Sequence, residues 1–437
     1  MNAASTGLSE LTYPALRDSV GLPRLLPDRA AGGPATYFEH LARHGQLPGC
    51  GRDLRRRRQL IETVEQAGLT GRGGAGFPTA KKLAAVAAER RRPFVIANGT
   101  EGEPASAKDK VLMAREPHLV LDGAVVAAEM IGARRAVIVV HQAVREIVDA
   151  AAAERRSAAA DRVQIEIVTA ADGFVAGEAS AVVHWVADSV ATPTRTPPRL
   201  SERGLDDRPT LVQNVETLAH LALIARHGAP WFRGIGTLAE PGSTLVTLTG
   251  AVRRPGVHEV EIGMPLAAML DLAGGASAPL AALLIGGYFG TWVEWDAVAG
   301  LPFSVAGLAS LGARPGAGLV AALPIDACGL VETARVTRYL AQESAGQCGP
   351  CVFGLDSIAC ELGALAGGRD FDLSKLRRWL GQVDGRGACN HPDGVVRMVR
   401  SALDLFSPEI DQHTMGWCSG TRASSVLPVP PRPGRSP

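Results

Sequence analysis

Neither sign of charge is in excess in this chain of 437 residues: 45 Lys and Arg stand against 44 Asp and Glu, for a formal charge of +1. No global field draws in nucleic acid or an acidic membrane surface, so a generic DNA-binding role is excluded. The opening Met-Asn-Ala-Ala-Ser-Thr-Gly lacks the basic start and apolar core of a secretory signal. An uninterrupted hydrophobic run is missing as well. The most apolar stretch, 118–140, is broken by Asp122, Glu129, Arg134 and Arg135, which argues against direct membrane insertion. These absences together read as a cytoplasmic protein. Aromatics are few, at 5%, whereas Gly (50) and Pro (29) are abundant, so loops with special backbone demands should make up much of the chain.

What is present is a foldable composition, 46% hydrophobic and 20% charged, in a chain long enough for two to four packed units. The seven cysteines are an odd number, and Cys348, Cys351, Cys360, Cys389 and Cys418 crowd into the last quarter. In a long cytosolic chain that asymmetry favours metal or redox chemistry over disulfides.

Texture divides the chain. Residues 1–58 form a polar, Pro- and Arg-rich extension ending in Asp53-Leu54-Arg55-Arg56-Arg57-Arg58, a run that reads as a solvated face more readily than as a phosphate site. Residues 59–240 begin with a helix (Leu60, Ile61, Val64, Ala67 on one face, Gly68 as stop) and continue with apolar strands at 94–97, 136–140 and 163–168 separated by helical stretches. That alternation predicts an α/β unit with a parallel sheet covered on both faces. Residues 241–325 open on a hairpin, 245–250 with 257–262, followed by a helix at 265–272 and a strand at 282–285, the order of a small β-grasp module. Four helical stretches (333–343, 353–365, 373–383 and 394–406) fill a bundle spanning 326–410. The tail, 411–437, is Pro-rich with no means of packing a core and is expected to be mostly disordered.

Gly68 to Thr79 carries a formal G-x-G-x-x-G at Gly71, Gly73 and Gly76. A dinucleotide fingerprint needs a preceding strand, and here a helix precedes; a Walker loop needs Lys where Phe77 stands. Glycines free to take positive φ can still turn N–H groups inward as an anion nest, and Pro78 pre-sets a helix start, with Lys82 one turn inside. The plain alternative is a tight helix-to-helix turn. Asn98-Gly99-Thr100-Glu101-Gly102-Glu103-Pro104 follows a strand directly, at the end of the sheet where α/β proteins bind ligands. Gly177-Glu178-Ala179-Ser180 and Gln213-Asn214-Val215-Glu216-Thr217-Leu218 complete the set.

Gly68–Lys82, Asn98–Asp109, Gly177–Ala181 and Asn214–Leu218, in this order, resemble the FMN- and NADH-binding signatures of the flavin-carrying subunit of respiratory NADH dehydrogenase. The same family includes subunits of NAD-dependent hydrogenases and formate dehydrogenases. The resemblance implies a Rossmann-like α/β flavin-nucleotide domain, a β-grasp (soluble-ligand-binding) module and a C-terminal helical iron-sulfur bundle. By it, Gly71, Arg72, Gly73, Gly74, Gly76 and Lys82 would hold the FMN phosphate and ribityl chain. Asn98, Asn214 and Thr217 would complete the flavin site, with Glu101 in the same motif. Glu103 and Glu178 would line the pocket where NADH stacks on the flavin and passes hydride. Thr100, Phe174, Ala179 and Gln213 depart from the family's usual Asp, Tyr, Glu and Asn.

Cys348-Gly349-Pro350-Cys351 taken alone is a thioredoxin-type dithiol, but that motif belongs after a strand and here follows a helix. The other reading is iron-sulfur ligation, which asks for four thiolates. Against the family pattern Cys348, Cys351 and Cys389 match, while Ala345 occupies the first ligand position. A fourth ligand from Cys418, His391 or His413 in the tail, a three-iron cluster, or loss of the cluster all stay open. Cys50, Cys328 and Cys360 fit no ligand spacing and read as small buried residues. The histidines elsewhere offer no metal-binding spacing.

The function implied is electron input from NADH through FMN and an iron-sulfur cluster (4Fe-4S or 3Fe-4S) to a ferredoxin-like or other iron-sulfur redox subunit. A thiol-disulfide oxidoreductase using Cys348 and Cys351, and a non-catalytic assembly subunit of the same fold, are the alternatives.

Overall fold

The protein is described from a computed structural model covering residues 21–27, 33–51, 53–195, 197–418, 420–421 and 424–430. The opening heptapeptide and the chain beyond Pro430 lie outside the described residues.

A short capped helix, α1 (Tyr37–His44), leads to α2 (Leu54–Ala67). Asp53 accepts from Arg55 N and Arg56 N, so α2 begins six residues before the apolar periodicity predicts, and its first turns carry the basic run mostly in solvent. After α3 (Thr79–Ala87) the α/β unit runs β1 (Phe94–Gly99), α4 (Lys108–Arg115), α5 (Pro117–Ile131), β2 (Arg135–Val140), α6 (Arg145–Ser157), β3 (Gln164–Thr169), α7 (Ala179–Asp188), β4 (Thr210–Asn214) and α8 (Val215–Phe232). All four strands are parallel, in the order β3-β2-β1-β4. Alternate residues serve two cores: Val95, Ala97, Ala136 and Ile138 face α5 and α8, whereas Phe94, Ile96, Val137 and Val139 face Val182 and Val183 of α7. Helix α5 is buried along its whole length. Its interrupting Asp122 is tolerated because Arg155 (2.7 Å), His40 (2.7 Å) and Arg226 surround it, and this company holds the carboxyl below the usual range against the opposing effect of burial.

The module that follows has five strands, β5 (Ser243–Gly250), β6 (Gly256–Glu261), β7 (Leu280–Ile285), β8 (Thr291–Glu294) and β9 (Leu319–Pro324), with α9 (Leu266–Leu272) and the single turns α10 (Trp295–Val298) and α11 (Val305–Leu308). The sheet order is β6-β5-β9-β7-β8. Strand β8 is four residues long and β9 is an Ala-rich run after a glycine loop, so neither gives a strong pattern in the sequence.

Helices α12 (Gly329–Gln342), α13 (Asp356–Ala366), α14 (Leu373–Val383), α15 (His391–Leu405) and α16 (Ser407–Thr414) form the bundle, with a π-helical turn at Pro350–Leu355 running into α13. The expectation of a mostly disordered tail is corrected for its described part. Leu427 is fully buried in the bundle core, and the Glu332 carboxylate accepts from Val426 N (3.0 Å) and Leu427 N (2.9 Å). The Tyr288 hydroxyl donates to Pro428 O. A proline-rich strand makes few hydrogen bonds of its own, and here a buried carboxylate supplies the acceptors instead.

Candidate cofactor site

The order β3-β2-β1-β4 reverses direction across β1, and the crevice between the carboxyl ends of β1 and β4 is the place where such sheets bind ligands. Register puts Asn98 and Asn214 side by side there. Asn214 caps α8, accepting from Glu216 N (2.9 Å), and donates from Nδ2 to Asp109 Oδ2 (2.6 Å). Asn98 donates to Gly177 O (2.9 Å) and accepts from Thr100 N (3.2 Å), tying the β1 loop to the segment before α7.

The glycine loop lies over Asn214. Gly71 N donates to Phe77 O and Thr79 N to Leu69 O, both at 2.9 Å, which closes the loop at its base. A Cβ on Gly73 would come within 3.3 Å of Asn214 Cβ, and Gly74 (φ +107) and Gly76 (φ +62) hold conformations that favour glycine. Arg72 N donates to Thr217 Oγ1 at 2.9 Å, fixing the loop on α8. The Arg72 guanidinium turns inward, donating to Thr70 Oγ1 (2.9 Å) and Ser243 O (3.2 Å) beside Glu216. Lys82 donates to Val212 O at 2.7 Å, and burial lowers the pKa of its ammonium. The start of α3 has no side-chain cap, and with Thr79 N and Lys82 N engaged, the N–H groups of Ala80 and Lys81 are left for an anion.

Lys108, Asp109 and Glu216 are functional candidates that the sequence reading passed over. Lys108 Nζ donates to Asp109 Oδ1 (2.7 Å) and Glu216 Oε2 (2.8 Å), while Glu216 Oε1 accepts from Thr244 Oγ1 and Leu245 N, both at 2.9 Å. Burial works against the Lys108 charge, yet the two carboxylates hold its proton and raise its pKa; burial in turn raises Asp109. This buried network joins the flavin crevice to β5. No periodic or spacing signal marks it, because its members come from three elements.

Glu101 has a left-handed backbone (φ 44), and its carboxylate accepts from Asp109 N (3.0 Å), Lys110 N (2.8 Å) and Ser106 Oγ (2.6 Å), anchoring the start of α4. Glu103 accepts from Tyr288 N (3.0 Å), and burial pushes its pKa up to about 8. Both lie on a cleft of about 400 Å³ lined also by Lys110, the 171–173 loop, Arg335 and Tyr339 of α12, and Val429 and Pro430 of the tail. Glu178 is turned onto its own helix, accepting from Ser180 N (2.8 Å) and Ala181 N (3.1 Å). Its charge helps, after burial, to raise the Cys389 thiol pKa.

The structure brings Cys348, Cys351 and Cys389 together: after burial, the other two thiols are what push Cys351 upward. Cys348 and Cys389 stay half-exposed, and Ala345 lies on an exposed turn before them. The idea of a fourth ligand from the tail is corrected for Cys418 and His413, which gather with Cys328 at the opposite end of α12. His391 Nε2 is engaged with Leu340 O at 2.8 Å, and its ring packs edge-on against Phe174 and Phe289. Two other expectations change: Cys360 is exposed, and His40, His44 and Glu116 converge in space despite unpromising spacing.

The residues present fit a flavin mononucleotide. Thr100 Oγ1, Gln213 Nε2, Thr79 Oγ1 and Arg72 Nε are buried around the crevice without a protein hydrogen-bond partner. The bundle offers three converging thiols to a cluster, one fewer than a cubane takes from thiolates. A parallel-sheet crevice with a glycine nest on one side and a group of thiols near the head of α7 defines a flavin- and iron-sulfur-binding oxidoreductase fold.

The comparisons with known proteins agree. Family models match for the Nuo51 FMN-binding domain (residues 64–223), the SLBB domain (245–285) and the NADH-ubiquinone oxidoreductase-F iron-sulfur binding region (332–413). The second F-type subunit of NADH-quinone oxidoreductase in Rhizobium meliloti is 30% identical over 81% of this chain and 88% of its own length. The F-type subunit of the Streptomyces coelicolor NADH-quinone oxidoreductase is 30% identical over 82% of this chain and 83% of its own length. A chain of an NAD⁺-reducing [NiFe]-hydrogenase superposes with a TM-score of 0.77 at 30% identity, covering 83% of this chain; the present chain spans 64% of that one. The protein belongs to the family of F-type subunits of NADH-quinone oxidoreductase, and is an oxidoreductase with that family's FMN-binding and iron-sulfur domains. No helix among the described residues is long and apolar enough to cross a membrane.

Proposed function

We propose that this protein takes hydride from NADH onto FMN and passes single electrons, by way of a cluster at Cys348, Cys351 and Cys389, to a ferredoxin-like or other iron-sulfur subunit in the cytoplasm. The observation that carries the reading is the register of β1 against β4, which sets Asn98 beside Asn214 under the glycine loop. Gly71–Gly76, the start of α3 and Lys82 would receive the phosphate, and Asn98, Asn214 and Thr217 would orient the ring system. FMN, when bound, supplies the two-electron to one-electron conversion. Glu103, with its pKa raised to about 8, stays largely protonated at neutral pH and presents a neutral donor to the nicotinamide side of the cleft. Lys110 and Arg335 offer positive charge on the walls of the same cleft. Glu178, at the head of α7 near Cys389, stands between the two cofactor regions. Val352 and Phe353, exposed directly after Cys351, give the partner an apolar landing place beside the thiols.

The dithiol alternative is disfavoured by context, because a thioredoxin-type motif follows a strand of a βαβ unit and Cys348–Cys351 follows helix α12. The test is an absorption spectrum of anaerobically purified protein before and after NADH. Yellow protein whose flavin band bleaches within one mixing time, with Glu178→Gln bleaching more slowly by NADH but equally by dithionite, is the expected outcome. Protein that binds FMN yet is bleached by neither NADH nor NADPH would make it an assembly subunit.

A further inference from the structure

At the end of α12 remote from Cys348, the Cys328 and Cys418 sulfurs and a His413 ring nitrogen all lie within 4.8 Å of one another. Cys328 Sγ lies 3.3 Å from His413 Nε2 and donates to Glu409 Oε2 at 3.0 Å. Cys328 and His413 are buried and Cys418 half-buried. Helix α12 has 14 residues, so this group is about 20 Å from the thiols of the flavin side and independent of them.

We propose that Cys328, His413 and Cys418, with Glu409 completing the set, bind one borderline-soft divalent cation, zinc by preference, which fastens the C-terminal segment to the bundle.

The backbone delivers the donors from two directions. Glu409 and His413 are four residues apart and share a face of α16. Gly416 (φ +75) and the bond from Trp417 N to Gln412 O (3.0 Å) reverse the chain after α16 and return Cys418 toward Cys328. Cys328 caps α12, and its sulfur accepts from Val331 N (3.4 Å). Sulfur and imidazole donors in a tetrahedral arrangement suit zinc, with ligand-to-ligand edges of roughly 3.5–3.8 Å from Zn–S of about 2.3 Å and Zn–N of about 2.0 Å. Cys328 Sγ and His413 Nε2, at 3.3 Å, stand slightly inside that edge, and all three donors lie within 4.8 Å of one another, so a small adjustment admits the ion. Binding releases the thiol protons, and the divalent charge takes their place beside the Glu409 carboxylate.

The position gives the site a purpose. Immediately beyond Cys418, Thr421 N donates to Asp326 O (3.0 Å), and Gly420 passes so close that an added Cβ would meet Cys328 Cβ at 2.9 Å. The chain then reaches Glu332, one turn into α12, and ends its described course as Val429 and Pro430 in the wall of the nucleotide cleft. An ion at Cys328 therefore pins the start of a segment whose far end shapes the cleft.

The full chain, reduced and treated with chelator, is alkylated with iodoacetamide with and without zinc, and each cysteine is followed by peptide mass spectrometry. Zinc at ten times its Kd should slow Cys328 and Cys418 about tenfold, leave exposed Cys360 unchanged, and bind one per chain. His413→Ala should abolish the protection. Equal rates with and without zinc, protection confined to Cys348, Cys351 and Cys389, or protection that needs oxidant and not zinc would each overturn the proposal. The wild-type map decides the question even if the variant does not fold.

Discussion

The flavin crevice and the cluster end of the bundle are held by different means. Around the crevice, shape is made by backbone: glycines at positive φ, two asparagines in register, and a buried Lys108–Asp109–Glu216 network whose charges are all paired. At the bundle, shape is left to an exposed turn and a π-helical turn, and binding depends on donor atoms, of which the position at Ala345 supplies none. A backbone cradle survives many side-chain changes because N–H groups belong to every residue but proline. A ligand set does not, since one substitution removes one ligand. On the proposed function, that difference is how four family departures leave the nest intact, while a single alanine would alter the ligand count of a cluster.

The comparison is broken most completely by Gly74→Val. A β-branched residue at φ +107 strains the backbone by about 1–3 kcal/mol and drives its side chain at the Gly316–Ala317 backbone, already 3.7–3.8 Å from the Cβ position, so the loop must shift. The variant should purify folded by circular dichroism and without flavin; retention of a full equivalent of FMN would show that the loop is not the phosphate site. Ala345→Cys sharpens the other half. The residue is exposed and the remaining thiols are already gathered, so iron per chain should rise from about three to about four, with a stable four-iron signal in electron paramagnetic resonance. No gain in iron would mean that another group already serves, or that the end no longer binds a cluster. The smallest effect is a pH dependence. Burial raises the Glu103 pKa from 4.5 to about 8, so the folded state holds this proton more tightly than the unfolded chain. Its contribution is complete below pH 4.5 and is lost as pH climbs through 8. Across that window the melting temperature of the wild type should fall relative to Glu103→Gln by roughly 2 °C or more; parallel curves would place Glu103 in water.

Some of this was written locally. The strands at 94–99 and 135–140 are built on the continuous apolar runs 94–97 and 136–140, the stop at Gly68 is a single residue, and the glycine loop and Cys348–Cys351 spacing are contiguous, so period, stop and motif read directly from the chain. The shortness of β8 and the alanine content of β9 left those strands unmarked, since pairing with β7 rather than propensity forms them. The inward turn of Arg72, the Lys108 network and the docking of Leu427 onto Glu332 join residues 90 or more positions apart or from separate elements, and no local pattern encodes such a meeting. Cys328 and Cys418 show the division most plainly. Cys328 fits no ligand spacing in sequence and Cys418 stands there only as a distant candidate for the other thiols, and only the return of the chain past the start of α12 brings the two together with His413. Sequence alone determined which backbone conformations were available and which chemistries were stocked. Tertiary structure decided which donors meet, because a meeting in space depends on the burial and pairing of every element between them.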